Sequence, residues 1–447
     1  MAYGNLMLAH TIHATLTPYA TTTPISIAVS GGMDSISLLH VVASAALPNP
    51  LRVLHVNHGL SAYAAPWAHF VEKEAAELHI PCEILCIQET PPPGDSIEAW
   101  ARRVRYQALA HKLQQGELLL TAHTADDQAE TVLLQLLRGA GLPGLAAMPT
   151  QRALGQGILL RPWLTLSRDT IETYAHHQGF PWIEDDSNDN TRFDRNYLRH
   201  RVFPLLKSRW PACLETLSRS ARFCAEAQHE ISQHYDETVK HAMSTGKWGE
   251  ACFALHTIAA LEASKQRTIL RHWLTILKAP QPNESQWQNL HRTVLHASPN
   301  ATPAMQWSKW EIRRYRDTLY CAPMAQWHQL TPGLPIAWDL HAPLQWGPYR
   351  LTATQSTQQP VWVRSATAKD RFLLPNDTHH RTWKYLCQHW GIPPWERACT
   401  PIICTVDNRL LAIVGYGQST SLVRFARLSY RAVYKNGGAD AVGNLPD

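Results

Sequence analysis

The first two hundred residues alternate between short apolar runs and amphipathic stretches, and this alternation restricts the fold more than any other feature. Four runs rich in Val, Ile or Leu have the length of buried strands, at residues 25–29, 52–56, 82–87 and 118–121. Helical patterns lie between them, at 36–46, 65–79, 96–114 and 126–137, and a further strand and helix follow at 158–160 and 168–178. Strands that alternate with helices predict an α/β fold with a parallel, doubly wound sheet.

The rest of the chain has two other patterns. Residues 215–325 carry apolar side chains mostly at helical spacing and end in a strand pair, which predicts a small helical domain. Residues 335–435 contain several β-like runs and one amphipathic helix at 381–389, which predicts an α+β domain. With the α/β domain at 1–214, the sequence predicts three domains, followed by a disordered tail at 436–447.

Composition and motif content exclude several classes of protein. No apolar run reaches the roughly 18 residues that a membrane helix needs, and the first residues do not resemble a secretory signal. The nine cysteines contain no Cys-x-x-Cys pair, which is typical of reduced thiols, so we expect a cytoplasmic protein. The net charge of +5 is carried by 30 Arg and only 11 Lys, which is compatible with a nucleic-acid partner and equally with a GC-rich genome.

A short segment with two glycines follows the first predicted strand and precedes a helix. Its residues are Ser30, Gly31, Gly32, Met33, Asp34 and Ser35. The glycines allow a tight turn that points successive N–H groups to one place, and the helix N-terminus adds its positive end. The segment therefore predicts a phosphate site, although it has neither the Walker lysine nor the Rossmann glycine spacing. Asp34 beside phosphates indicates a role in orienting Mg²⁺ or a charged co-substrate.

A second polar segment, HVNHGL at residues 55–60, ends the second predicted strand. Ligands of open α/β sheets bind beyond the carboxyl ends of the strands, so the backbone at Val56 is suited to contact an adenine edge. An ordinary turn explains the Asn-His-Gly sequence equally well.

A third segment, HTADDQAET at residues 123–131, follows the fourth predicted strand. Thr124 is suited to cap the next helix, but capping does not require His123 or Glu130. His123, Asp127 and Glu130 have the spacing of one helix face, where two carboxylates could hold an amine or Mg²⁺. A zinc site is less well supported, because no further His or thiolate ligands lie at a standard spacing.

Two basic segments flank these motifs. Residues 98–106 carry Arg102 and Arg105, and the helix that begins near Arg195 places that residue one turn from Arg199. Guanidinium groups in these positions are suited to bind pyrophosphate or an RNA backbone. A solvated surface helix is the simpler interpretation of any single arginine.

The segment Ser30–Ser35 resembles the PP-loop of the ATP pyrophosphatases, which cleave ATP between its α- and β-phosphates. Together the motifs closely resemble the tRNA(Ile)-lysidine synthetase family. The segments that carry this likeness are SGGMDS, HVNHGL, E-x-x-A-R-x-x-R-Y at 98–106, HTADDQAET, and EDDSN with RNYLRHRVFP at 184–204. It continues through TILRHWL at 268–274, WEIRRYRDTLY at 310–320 and WKYLCQHWGIPPWER at 383–397, and therefore covers nearly the whole chain.

The resemblance implies an ATP-dependent, Mg²⁺-assisted ligase that modifies the wobble cytidine of the isoleucine tRNA with a CAU anticodon. ATP would adenylate the C2 oxygen and release pyrophosphate, and the ε-amine of L-lysine would then attack C2 and expel AMP. The residues implied for ATP are Ser30, Gly31, Gly32, Met33, Asp34, Ser35 and Val56. The residues implied for catalysis are Asp34, Asp127 and Arg195, and those for lysine are Asp127 and Glu130. The residues proposed for tRNA are Arg102, Arg105, Arg199, Arg313 and Arg397, with the two later domains gripping the tRNA. The assembly state stays open, with a homodimer as one option.

Three other functions compete with this interpretation. A tRNA 2-thiolation enzyme of the same superfamily shares the adenylation step, but it usually needs cysteine pairs that this chain lacks. A small-molecule synthetase with the same loop would not need a basic C-terminal half. A tRNA-binding protein without activity would leave Asp34, Asp127 and Glu130 without a purpose.

Overall fold

The computed structural model describes residues 2–59, 63–92, 97–184, 190–298, 301–353, 360–373, 378–418, 428–432 and 442–444. The chain forms two compact units, Met1–Ile231 and Ser232–Asp447. Each unit has its own hydrophobic clusters and sheets.

The first unit is built on a six-stranded sheet, counted over the described residues, in the order β3-β2-β1-β4-β6-β5. Its strands are β1 (Ile25–Ala28), β2 (Leu51–Asn57), β3 (Cys82–Cys86), β4 (Leu118–Leu120), β5 (Gln151–Leu154) and β6 (Gly157–Leu160). Neighbouring strands run parallel except for β5, which forms an antiparallel edge against β6. Ile25 at the start of β1 lies opposite Leu51 on one side and Leu118 on the other.

Helices cover both faces of this sheet. The helices that begin in the first unit are α1 (Ala2–Leu16), α2 (Met33–Ser44), α3 (Ala64–Glu77), α4 (Ile97–Lys112), α5 (Ala125–Leu137), α6 (Leu142–Leu145), α7 (Arg168–Gln178), α8 (Asp194–Tyr197), a π-helical turn at Leu198–Val202, α9 (Phe203–Arg209) and α10 (Cys213–Ala242). The last turns of α10 belong to the second unit. Leu118 and Leu120 of β4 pack with α1, α2, α3 and α7, whereas Leu119 between them packs with α4 on the opposite face. Successive strand residues thus bury opposite faces, which confirms the predicted doubly wound sheet.

The second unit contains several antiparallel sheets. Its strands are β7 (Met243–Thr245), β8 (Ala251–Ala254), β9 (Ala304–Trp307), β10 (Trp310–Tyr315), β11 (Thr318–Pro323), β12 (Ile336–Trp338), β13 (Leu344–Trp346), β14 (Tyr349–Ala353), β15 (Val361–Ser365), β16 (Arg371–Phe372), β17 (Arg381–Thr382), β18 (Pro401–Cys404), β19 (Leu410–Ile413), β20 (Gly417–Gln418), β21 (Leu428–Ala432) and β22 (Val442–Asn444). The helical elements are a 3₁₀ turn at Leu255–Thr257, α11 (Ala263–Ile276), α12 (Glu284–Asn289), a π-helical turn at Leu290–Leu295, α13 (Met324–Trp327), α14 (Trp383–His389) and α15 (Pro394–Arg397). The sheet β7-β8-β11-β10-β9 packs against α11 and α12, and the sheet β12-β15-β18-β19-β20 shares a core with β13 and β14.

The structure extends the sequence interpretation of this second half. The strand pair expected near residues 307–321 belongs to a five-stranded sheet in the described chain, because β7, β8 and β9 add to it. Of the tail predicted to be disordered, only Val442–Asn444 is described, and these residues pair with β21 as a strand. Large aromatic side chains fill the cores of both units, and they account for much of the high tryptophan content. The buried tryptophans are Trp100, Trp163, Trp248, Trp273, Trp287, Trp307, Trp327, Trp338, Trp346 and Trp383.

Two expectations about the class of protein can be compared with the structure. Within the part of the chain that is described, no helix combines the length and apolar character that crossing a membrane requires. All nine cysteines are free thiols.

Candidate active site

The phosphate loop lies where the sequence predicts it, between β1 and α2. Gly32 is the N-cap of α2, with no side chain capping the helix, so the first N–H groups of the helix are not occupied by a side-chain cap. The Ser35 hydroxyl donates to the Gly32 carbonyl at 2.9 Å and accepts from the Ser30 N–H at 3.1 Å. These bonds close the turn upon itself and fix a concave backbone at the helix N-terminus, which is a favourable place for an anion.

Gly31 has a backbone conformation and a close neighbour that both require glycine. Its φ of +96° lies in the region that L side chains rarely adopt, and an added Cβ would lie 2.5 Å from Cδ1 of Ile183. The Ile183 N–H also donates to the Gly31 carbonyl at 2.9 Å. The segment after α7 therefore packs directly on the loop.

Asp34 lies in the first turn of α2, where its carboxylate faces the site. Its Oδ2 is 3.7 Å from Nε of Arg168, whereas its Oδ1 is buried and has no hydrogen-bond partner. Burial raises the pKa of Asp34 to about 6, against the lowering effect of Arg168. An unpaired, desolvated carboxylate oxygen beside a phosphate loop is a group that a bound cation would satisfy.

The end of β2 brings two histidines and Val56 to the carboxyl edge of the sheet. The ring of His55 is buried, and its Nδ1 lies 2.8 Å from the Val29 carbonyl. Val56 is half-buried within the strand. Burial lowers the pKa of His58 to about 4, with Arg105 adding to the effect, so the ring is neutral at pH 7.

Asp127 lies in the first turn of α5, where it contacts several neighbouring groups. Thr124 caps α5, and the Asp127 carboxylate accepts from the Thr124 N–H at 2.9 Å, which completes a capping box. His123 lies just before the cap, and burial lowers its pKa to about 3. The pKa of Asp127 is lowered despite burial, because His123, the Thr124 N–H and two arginines favour its charged form.

Glu130 is one turn further along α5 and is almost completely buried. The Arg199 Nε donates to Glu130 Oε1 at 2.7 Å, and Arg195 approaches Oε2 at 3.6 Å. Arg199 also reaches Asp127 at 3.4 Å, and Arg195 donates to the Thr131 hydroxyl at 3.0 Å. The structure thus brings together the acidic pair and the basic pair that the sequence placed on separate segments.

Arg102 and Arg105 lie on α4, in a basic cluster around Tyr106. Their guanidinium carbons are 5.4 and 5.7 Å from the centre of the Tyr106 ring. Arg152 of β5 lies 4.6 Å from the same ring. The fourth arginine of the cluster is Arg161, which follows β6 directly and, with Arg102 and Arg105, lowers the pKa of Tyr106.

The remaining predicted residues, Arg313 and Arg397, lie in the second unit. The Arg313 guanidinium lies 4.2 Å from the ring centre of Trp327 and 5.2 Å from that of Trp395, and its Nε donates to the buried Glu311. Arg397 donates to the Ile392 carbonyl at 3.0 Å. These contacts give both residues structural partners, and their contact with tRNA stays a prediction.

Sequence reasoning missed three basic residues of the first unit. Arg168 faces Asp34, Arg161 belongs to the Tyr106 cluster, and Lys207 lies 3.8 Å from Asp126. Arg161 and Arg168 flank the loop between β6 and α7, at the same edge of the sheet as the phosphate loop. That position after a parallel strand was the signal that could have identified them.

No metal cluster built from three or more His, Cys, Asp or Glu side chains exists in the described parts of the chain. Magnesium, which keeps several waters and phosphate oxygens as ligands, fits a site with a single carboxylate such as Asp34.

Three family models match the chain. A PP-loop domain matches residues 6–206, a TilS substrate binding domain matches 253–320, and a TilS substrate C-terminal domain matches 361–426. The PP-loop match contains the phosphate loop, the acidic pair and the basic helix.

Curated relatives match over most of their length. The chain is 38% identical to the tRNA(Ile)-lysidine synthase of Coxiella burnetii, over 87% of this chain and 88% of the relative. It is 36% identical to the tRNA(Ile)-lysidine synthase of Alkalilimnicola ehrlichii, over 93% of this chain and 94% of the relative. Among solved structures, the U34-tRNA thiolase NcsA from Methanococcus maripaludis is 14% identical to this chain, and the TM-score is 0.42. The superposition covers 49% of this chain and 78% of that one.

Proposed function

The chain belongs to the tRNA(Ile)-lysidine synthase family, and from this premise we propose that it joins L-lysine to the wobble cytidine of the isoleucine tRNA with a CAU anticodon. ATP adenylates the C2 oxygen and releases pyrophosphate. The lysine ε-amine then attacks C2, and AMP leaves with the oxygen. The observation that carries the proposal is the adjacency, within the PP-loop domain, of a phosphate loop, a carboxylate oxygen of Asp34 without a hydrogen-bond partner, and the acidic pair Asp127 and Glu130.

The phosphate loop and the end of β2 are proposed to bind ATP. The backbone of Ser30–Ser35 would receive the phosphates at the N-terminus of α2, where no side chain caps the helix. Val56, at the carboxyl end of β2, would contact the adenine. Both elements end at the same edge of the parallel sheet, and this supports the proposal that they bind the two halves of one nucleotide.

Magnesium is proposed to bind at Asp34. The buried Oδ1 has no protein partner, and a cation bound there would neutralise the carboxylate beside the phosphates. Magnesium would offset negative charge on the phosphate oxygens when it is bound. Arg168, 3.7 Å from Oδ2, would keep the carboxylate oriented toward the loop.

Asp127 and Glu130 are proposed to bind the lysine side chain. Both carboxylates already face guanidinium groups, and this pairing with cations supports the proposal. Arg199 occupies both carboxylates, so the lysine ammonium must displace it or share them. The attacking amine has to be neutral, and one of the two carboxylates would take its proton.

Arg195 is proposed to stabilise negative charge that develops on the departing phosphate groups. It approaches Glu130 only at 3.6 Å and Glu98 at 3.7 Å, so its guanidinium is not locked into a short bidentate pair. An arginine released from Glu130 would be available to a developing anion.

The tRNA is proposed to contact all three predicted domains, at 1–214, 215–325 and 335–435. Arg102, Arg105 and Arg199 would contact it in the first domain, and Arg313 and Arg397 in the later ones. We further propose that the protein acts in the cytoplasm, and sedimentation of the purified chain tests whether it forms a homodimer.

The test incubates the full chain with ATP, radiolabelled lysine and a transcript of the isoleucine tRNA with a CAU anticodon. We expect lysine to enter the tRNA with equal amounts of AMP and pyrophosphate formed. The matched control is the same transcript with uridine at the wobble position, which has a different C4 group and should accept no lysine. Failure to incorporate lysine, with pyrophosphate released on another substrate, would contradict the proposal. Transfer of sulfur to the tRNA would favour the thiolation alternative.

A further inference from the structure

The basic cluster around Tyr106 draws its arginines from three separate elements. Arg102 and Arg105 come from α4, Arg152 from β5, and Arg161 from the residue after β6. Three guanidinium carbons lie within 5.7 Å of the ring centre, and Arg161 is close enough to help lower the pKa of Tyr106, together with Arg102 and Arg105. Four guanidinium groups thus lie around the side chain of one tyrosine.

The described residues place no paired carboxylate beside this cluster to neutralise its positive charge. None of the four arginines forms an ion pair with a described carboxylate. Asp127 acts electrostatically on Arg105, but it is also paired with Arg199. Four like charges repel one another at these distances, and an anion bound among them would offset the repulsion.

Arg161 supplies a second, independent sign of a missing partner. It is 4% exposed, and one of its terminal nitrogens donates to the Pro149 carbonyl at 2.6 Å. Its Nε is buried and has no hydrogen-bond partner. A buried guanidinium N–H without an acceptor is costly, and an anion beside it would remove the cost.

The cluster lies at the edge of the sheet where ligands of this fold class bind. Arg161 follows β6, His123 follows β4, and His58 follows β2, all at the carboxyl ends of parallel strands. Burial and the nearby arginines lower the pKa of His58 to about 4 and that of His123 to about 3, so both rings are neutral at pH 7.

We propose that Arg102, Arg105, Arg152 and Arg161 form a second anion site, separate from the loop after β1, for a phosphodiester group of the tRNA backbone. This proposal rests on the proposed function, because it takes tRNA as the substrate. Tyr106 acts as a positioning residue, since guanidinium groups already cover its ring. ATP has its own phosphate loop, whereas Arg152 is exposed on an edge strand and is accessible to a large ligand.

The test measures tRNA binding by Arg152→Gln and Arg161→Gln variants of the full chain over a series of salt concentrations. Each lost phosphate contact should lower the slope of log affinity against log salt by about 0.7–0.9. We expect tRNA affinity at low salt to fall roughly 5- to 30-fold, as loss of a charge-assisted contact predicts. The KM values for ATP and lysine should stay within about twofold, because those ligands bind elsewhere.

Two controls keep the result interpretable. Arg103→Gln removes one exposed positive charge from the same helix, outside the cluster, and should leave the salt slope unchanged. Arg161→Lys keeps the charge and should retain most of the slope, whereas a purely structural role of the guanidinium would be lost in Lys and Gln alike.

Three results would overturn the site. One is an unchanged slope in both glutamine variants, and another is an equal loss with Arg103→Gln. The third is a raised KM for ATP with normal tRNA binding, which would assign the anion to the nucleotide. Failure of the unaltered chain to incorporate lysine would instead contradict the proposed function, while the binding comparison would still report on the site.

Discussion

Substitution of Gly31 by alanine tests the phosphate loop through a clash that the structure defines. At a φ of +96°, an L residue costs about 1–2 kcal/mol relative to glycine. The new Cβ would also lie 2.5 Å from Cδ1 of Ile183, where about 3.5–4.0 Å is an ordinary carbon contact. Relief of such overpacking typically costs about 1–3 kcal/mol. We therefore expect Gly31→Ala to destabilise the first unit by about 2–5 kcal/mol.

The two contributions can be separated by a double-mutant cycle. Ile183→Val removes the clashing Cδ1 and should cost about 0.5–1.5 kcal/mol alone. In the double variant it should recover the steric part, about 1–3 kcal/mol, while the backbone part remains. Denaturant unfolding gives the four free energies, and calorimetry gives the ATP affinity, which should stay weakened in the double variant because the loop conformation is still strained. Additive free energies, or a Gly31→Ala variant as stable as the unaltered chain, would refute the described contact.

Three further predictions concern buried charges. Asp34→Asn should lower the rate of AMP formation by about 100-fold or more with the melting temperature maintained, and near-normal turnover would remove Asp34 from the mechanism. Arg199→Gln should lower the free energy of unfolding of the first unit by about 3 kcal/mol, because Glu130 loses its 2.7 Å partner. Adding Glu130→Gln should recover much of that loss in denaturant unfolding, and no recovery would argue against the ion pair. Burial raises the pKa of Glu396 from 4.5 to about 7, so its stabilising contribution is complete below pH 4.5 and is lost as the pH rises through 7. Glu396→Gln should therefore melt higher than the unaltered chain at pH 8 and at a similar temperature at pH 5, whereas equal differences at both pH values would contradict the shift.

The alternation of apolar runs and helical patterns was enough to predict the architecture of the first unit. The parallel strands could be predicted because they are buried on both faces and are therefore continuous apolar runs. Strand β5 (Gln151–Leu154) was missed because it is an exposed antiparallel edge with polar residues. Helix α1 was missed because its sequence has little of the polar and apolar separation that marks an amphipathic helix.

The second unit was predicted less completely, for a related reason. Strands β7 and β8 are three and four residues long, too short to show a two-residue alternation. Strand β8 pairs with β11, a contact across more than sixty residues of chain that local patterns do not contain, and β7 is added to the sheet through β8.

The motifs identified the residues of the candidate site but not how they pair. Helical spacing correctly placed Asp127 and Glu130 one turn apart on one helix. It could not show that Arg199, about seventy positions later, would occupy both carboxylates, because that contact depends on how α5 and the basic helix pack together. Arg161 was missed for the same reason, since its position beside Tyr106 follows from the sheet order.

Formation of lysidine by this chain is tested most directly by measuring the mass of the wobble nucleoside. The isoleucine tRNA transcript with a CAU anticodon is incubated with the chain, ATP and lysine and is then digested to nucleosides. The masses of the nucleosides are measured by mass spectrometry. The account predicts that the wobble cytidine gains the mass of one lysine less one water, only when ATP is present, while all other cytidines are unchanged. An unmodified wobble cytidine under conditions where the chain binds ATP and the tRNA, or a cytidine that has exchanged oxygen for sulfur, would contradict it.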